Sequence, residues 1–318
     1  MTNGFEHTME MADSGTVSTG ESSTDHDRVV LLYGGGNETG LAATQQFLET
    51  GADVVITDEP EYGQAVRDRF GADVDFLDID PQRLGSIETV AAQFKKAYDD
   101  IDVLASTKSA AYPPTSSDDE PDRTYVVNHL ALYGLYHHFE DMMYRCRTLV
   151  PIHPIFDDVA SCDGAPDDAV SAFARSQYAN AALVVAIHIQ RWDRTINGYD
   201  PGIVVNDGAV PANERIAPAS DPDVGADRLV HISGDSTAAF LRGGYYDSSI
   251  EETERQLDGF DDEFNRWDSS TPEFHKLPLS QEDAEAVLKH DAEICGFEPD
   301  WYKTDAWWLT ADRGPVGY

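Results

Sequence analysis

From Arg28 onward, apolar residues come in short, nearly unbroken runs separated by segments with a helical period. Val29-Val30-Leu31-Leu32-Tyr33 is β-branched and apolar and ends at Gly34-Gly35-Gly36, which predicts a strand and a turn. Leu41, Ala42, Phe47 and Leu48 share one side of a helix over 39–50, which Gly51 stops. The segment over 52–58 is an almost wholly apolar strand, of the kind buried on both faces of a parallel sheet. The alternation continues with helix 62–70, strand 74–77, helix 87–98, strand 101–105 and a long helix over 126–144. Strand 148–152, helix 172–192 and strand 202–206 follow. Repeated β-α units with continuous apolar strands predict an α/β fold, a doubly wound parallel sheet.

The pattern breaks over 212–278, which is rich in Asp, Ser and Pro. That stretch holds the aromatic segment Phe240, Gly243-Gly244-Tyr245-Tyr246 and an acidic helical pattern over 250–267. Periodic structure resumes at Ser280, a plausible N-cap, with Ala284, Val287 and Leu288 on the apolar face and Gly296 at the end. The segment over 307–311, with Trp307 and Trp308, reads as a last strand. Residues 1–27 are Ser, Thr, Gly and acid without periodicity, which predicts a disordered acidic tail. The expected division is therefore tail 1–27, core 28–211, insertion 212–278, and a closing helix and strand over 279–318.

Composition sharpens this picture. The 318 residues carry 22 Lys+Arg against 59 Asp+Glu, a formal charge of -37, while 41% of the chain is hydrophobic. That apolar content fills a globular core, so the chain as a whole is not disordered. Such a surface repels nucleic acid and anionic membranes, and no apolar run approaches the ~20 residues that span a bilayer. Aspartate outnumbers glutamate about two to one, arginine outnumbers lysine, and the acid is spread along the chain. The pattern resembles proteins of salt-in halophiles, where molar salt shortens the Debye length to ~3 Å and self-repulsion is tolerated. An acidic module for a basic partner would concentrate its charge instead. Cys146, Cys162 and Cys295 have neither disulfide nor metal-ligand spacing, and residues 1–27 lack the apolar core of a secretory signal, so the expected compartment is a reducing cytoplasm. His137 and His138 are helix neighbours that point apart, so no metal site is assigned.

The stretch Tyr33-Gly34-Gly35-Gly36-Asn37-Glu38-Thr39-Gly40 lies between a predicted strand and helix, where a dinucleotide pyrophosphate meets bare backbone and a helix N-terminus. Asp58, closing the second strand, is placed to accept from ribose hydroxyls, which favours NAD(H) over NADP(H). An ordinary strand-to-helix turn, with an Asp at the next strand end, gives the same residues. The whole series resembles the short-chain dehydrogenase/reductase family, with a Rossmann-like sheet, from about Arg28 to the C-terminus. The resemblance places Gly34, Gly36, Asn37 and Gly40 at the cofactor loop and Asp78 facing the adenine. It puts Asn128 at the structural Asn of the long helix and Tyr178 at the catalytic Tyr of Tyr-x-x-x-Lys. Ser280 to Gly296 and Asp312-Arg313-Gly314 match the closing helix and strand, and 212–278 falls at the substrate lid.

The departures from that family fall on the residues that do its chemistry. Glu38 replaces a loop glycine; at ~5 Å and an effective dielectric of ~20 its repulsion of a phosphate is roughly 3 kcal/mol, about two orders of magnitude in affinity. Asn-Asn-Ala-Gly becomes Ser106-Thr107-Lys108-Ser109, and the catalytic lysine becomes Ala182. Without that lysine, only ~0.1% of the Tyr178 phenol would be ionised at neutral pH. The serine position falls at Ile152-His153-Pro154, where His153 either substitutes as acid-base group or merely fills space, and the Pro-Gly after the sixth strand reads Val210-Pro211. The Tyr178 helix is apolar nearly all round, and in the resembled family it packs on a second subunit. The resemblance thus implies a catalytically degenerate member, a homo- or hetero-oligomer with an intact relative in an NAD(H)-dependent assembly. The alternatives are a divergent NAD(H)-dependent reductase using Tyr178, and a stand-alone binding protein.

Overall fold

A computed structural model of the chain describes residues 28–114, 121–153, 166–191, 194–202, 221–234, 241–247 and 273–296. The strands are β1 (Val29–Tyr33), β2 (Asp53–Asp58), β3 (Val74–Asp78), β4 (Val103–Ser106), β5 (Arg147–Pro151), β6 (Thr195–Tyr199), β7 (Gly244–Asp247) and β8 (Glu273–Lys276). They form one sheet in the order β3-β2-β1-β4-β5-β6-β7-β8. The first seven are parallel, and β8 runs antiparallel on β7. The strand order reverses beside β1, which opens a crevice past the strand ends between β1 and β4.

Both faces of the sheet are covered, which explains why the strands read as continuous apolar runs. Along β1, Val30 and Leu32 enter one core with Phe47 and Leu229, while Val29, Leu31 and Tyr33 enter the other with Phe94 and Leu183. The first face carries α1 (Glu38–Glu49), α2 (Gly63–Phe70) and α7 (Pro222–Gly234). The second carries α3 (Leu84–Phe94), a short α4 (Arg123–Tyr125), a π-helical turn (Val126–Leu130), α5 (Ala131–Phe139), α6 (Ala169–Gln190) and α8 (Gln281–Cys295).

Three expectations change. The sixth strand is Thr195–Tyr199, and 203–206, where it was expected, lie outside the described residues. The apolar run Ile203-Val204-Val205 gave the stronger local signal, whereas β6 is weakened by Asn197 and Gly198. Gly198 is required there, because a Cβ at that position would lie 2.3 Å from Ile152 Cδ1. Among the described residues of 212–278 the alternation also continues, because α7 and β7 form another parallel β-α-β crossover after β6. Two arginines secure α7: Arg28 donates to Ser233 O, and Arg147 Nη1 donates to Ile232 O and Ser233 O at 3.2 and 2.7 Å. They satisfy carbonyls at the helix C-terminus, where positive charge is favourable. The long helix expected over 126–144 begins as a π-helical turn, and its α-helical part closes at Phe139.

The last helix is as the sequence suggested: Ser280 Oγ accepts from Asp283 N, and Gly296 ends α8 in the left-handed conformation. α8 lies on α6 and buries Ala284, Val287 and Leu288 in the same core as Leu183, Val184 and Ile187. A buried polar chain fixes its register. Asp291 accepts from Tyr125 Oη at 2.7 Å and faces His129 Nε2 at 2.8 Å. His129 Nδ1 faces Asn180 Oδ1 at 3.0 Å, and the Asn180 amide donates to Pro151 O at 2.9 Å. The expectations for 1–27, Pro154, Val210-Pro211, Phe240, 250–267, Trp307, Trp308 and Asp312-Arg313-Gly314 lie outside the described residues.

Candidate functional site

The glycine turn after β1 is held from both sides. Gly34 N donates to Thr57 O at 2.9 Å, and Gly34 O accepts from Thr107 Oγ1 at 2.7 Å. Asn37 is the N-cap of α1: its Oδ1 accepts from Gly40 N at 2.7 Å and its Nδ2 donates to Thr107 O at 2.9 Å. Glu38 is exposed at the first position of α1, where a carboxylate also stabilises the helix through its dipole. Gly36 must be glycine because Tyr62 lies against it; a Cβ there would sit 2.3 Å from Tyr62 Cβ.

Asp58, at the end of β2, is fully buried. Its Oδ2 accepts from Gly36 N at 2.9 Å, and its Oδ1 accepts from Glu59 N at 2.8 Å. Lys108 Nζ approaches the same Oδ1 at 2.6 Å and Glu59 Oε2 at 3.1 Å, with 4% of the lysine side chain exposed. The ammonium also stands 4.6 Å from the centroid of the Tyr62 ring. Outside this group, Arg123 Nη2 lies 3.6 Å from Glu59 Oε1, and its guanidinium sits 4.0 Å from the Tyr112 ring centroid. Burial raises the Asp58 carboxyl above the usual range, against the pull of Lys108. Burial likewise works against the Lys108 cation, but Asp58 and Glu59 outweigh it and hold the ammonium protonated well above neutrality. Asp78 pairs in register with Asp58 one strand over, with its side chain exposed.

A second cluster lies where β4, the π-helical turn and α6 meet. Asn128 brackets the backbone of Ala110, accepting from its N at 2.9 Å and donating to its O at 2.7 Å. It also donates to Ser176 Oγ at 3.0 Å. His153 N donates to Gln177 Oε1 at 2.9 Å, and the His153 ring lies 5.9 Å from that of Phe173. Tyr178 is buried, and Ala182, one helical turn further on, is wholly enclosed in the same core. A shallow cleft lies past the ends of β1 and β4, lined by Asn37, Tyr62, Lys108, Tyr112, Pro201 and Gly202 among others. Because β6 ends at Tyr199, the residues that follow it are Asp200-Pro201-Gly202, with Pro201 and Gly202 on the cleft wall.

The structure therefore brings Gly34, Gly36, Asn37, Gly40 and Asp58 together and gives each a partner within the chain. A dinucleotide does not fit these residues. The two oxygens of Asp58 already hold three donors, Tyr62 lies against Gly36, and Asn37 takes the Gly40 amide, the third of α1. Lys108, Glu59, Tyr62 and Arg123 were not legible as a cluster from sequence. Their one signal is a lysine directly after a wholly buried strand, in a chain with few basic residues. Among the described residues no group of three or more His, Cys, Asp or Glu is placed to hold a metal, and no helix is long and apolar enough to cross a membrane.

No family model and no curated protein matches this sequence. Solved structures do match in fold. A protein described as a 3-oxoacyl-reductase from Bacillus thuringiensis superposes with a TM-score of 0.53 at 16% identity, over 69% of this chain and 95% of its own. An uncharacterized protein from Mycobacterium paratuberculosis gives 0.60 at 15%, over 86% and 94%. The KRED1-Pglu enzyme gives 0.55 at 18%, over 69% and 99%. The chain shares the α/β, Rossmann-like fold of these structures.

Proposed function

We propose that this chain is a catalytically silent relative of the short-chain dehydrogenases/reductases. One observation carries the reading: Ala182 stands one helical turn after Tyr178, in the lysine position, enclosed in apolar core. The resembled chemistry needs a cation there to lower the phenol pKa, and an alanine methyl supplies none. His153, the candidate replacement, has its backbone tied to Gln177, and its ring lies beside Phe173. Asn128 is spent on the Ala110 backbone and Ser176, a structural use. The filled Asp58 site points the same way, since a reductase without its nucleotide has no hydride source.

Assembly with an intact relative was expected from the apolar circumference of α6; against it we set α8, which packs on α6 within the chain. We therefore place the protein's role in the single folded chain, as a non-catalytic protein. The test is calorimetry and thermal shift with NAD(H) and NADP(H) in molar salt, beside a turnover assay on a panel of carbonyl substrates. No saturable binding and no turnover is the expected result. Micromolar binding with turnover abolished by Tyr178→Phe would overturn the reading in favour of a divergent reductase.

A further inference from the structure

The Asp58 site is filled by the chain itself, and we propose that Lys108 is an internal ligand that closes the cleft against a ribose-bearing nucleotide. The inference deepens the silent-relative reading and rests on it. Three observations meet at this one side chain. Its ammonium sits 2.6 Å from Asp58 Oδ1 and 3.1 Å from Glu59 Oε2, so it takes the donor position that a sugar hydroxyl would need. Its stem packs against the turn: a Cβ on Gly34 would lie 2.9 Å from Lys108 Cγ, which leaves no gap between lysine and loop. The Tyr62 ring forms the third wall, 4.6 Å from the ammonium and against Gly36.

The local charge balances. Lys108 and Arg123 face Asp58 and Glu59, so two cations meet two carboxylates within one ion-paired group. A nucleotide entering here must displace a buried ammonium from two carboxylates. Breaking a buried pair from one side is costly enough to weaken a competing ligand by at least about a hundredfold. Salt does not relieve this, because a pair with 4% and 0% of its side chains exposed is screened far less than surface charges. A lysine this well held is a wall of the cleft, not a tether waiting for phosphate.

The experiment is calorimetric titration of adenosine, AMP and NAD+ into the full chain in molar salt, comparing wild type, Lys108→Ala and Lys108→Ala/Asp58→Asn. Wild type should show no saturable binding. Lys108→Ala should gain affinity for adenosine or AMP by at least about tenfold, and the double variant should lose that gain, because the carboxylate is the acceptor. A silent wild type with no gain in Lys108→Ala overturns the inference alone, whereas tight NAD+ binding by wild type overturns it together with the silent-relative reading. If Lys108→Ala does not fold, native acetylation of the wild type decides. Lys108 should then react at least about tenfold more slowly than the exposed Lys96, and equal rates overturn the proposal.

Discussion

Asp291→Ala tests whether the buried polar chain locks α8 onto the core. The residue is fully buried and accepts from Tyr125 Oη at 2.7 Å while facing His129 Nε2 at 2.8 Å. His129 meets an acceptor at each ring nitrogen, since the Asn180 amide is turned toward Pro151 O. Removing the carboxylate strands two buried donors, the Tyr125 hydroxyl and the His129 ring N–H, at about 1–3 kcal/mol each. About 2–6 kcal/mol is therefore expected, or roughly 3–9 °C in Tm for a chain of this length. Urea unfolding followed by circular dichroism reads the free energy, and amide exchange over 281–295 reads whether α8 loosens first. The pair His129→Leu/Asp291→Leu should cost less than the sum of its singles by about 2 kcal/mol, because neither partner is left facing an unpaired polar group. A loss below about 1 kcal/mol for Asp291→Ala, or strict additivity, would refute the coupling.

Gly36→Ala should destabilise the fold by about 1–3 kcal/mol through its collision with Tyr62, and Tyr62→Ala in the same chain should recover part of that loss, read by urea unfolding. Arg147→Met should cost about 1–3 kcal/mol by stranding the Ile232 carbonyl and leaving Ser233 O to Arg28 alone, with amide exchange rising first over 229–234. Burial pushes the Cys146 thiol up to about 12. Its pKa is raised by folding, so its contribution is intact below the unfolded value near 9 and is lost as pH climbs from there toward 12. Wild type should therefore lose up to about 1.4 kcal/mol per pH unit across that window relative to Cys146→Ala, measured by unfolding at each pH. Light scattering in molar salt should return one chain's mass, 35.0 kDa, because α6 is already covered; a stable dimer of twice that mass would count against a covered α6.

The sheet was readable because strands buried on two faces leave an unbroken apolar signature, as Val29 to Tyr33 and Val54 to Ile56 do. β6 was misplaced because Asn197 and Gly198 dilute that signature while a stronger apolar run, Ile203-Val204-Val205, lies a few residues on. The glycine turn and Asp58 were located correctly along the chain. Their occupants were not, because the Lys108–Asp58 contact joins residues fifty positions apart, and periodicity carries no such information. His129 and Asp291 were invisible for the same reason, separated by 162 positions on two different helices.

The docking of α8 on α6 also has a consequence in time. As the chain is synthesised, α6 is complete at Gln190, but its cover is not made until Cys295, 105 residues later. At 5–20 residues per second that interval is roughly 5 to 20 s. Throughout it, the faces of Leu183, Val184 and Ile187 that α8 will seal have no partner from their own chain. This helix is therefore where a growing chain most needs a chaperone, and where truncation before 281 should send the protein into aggregates.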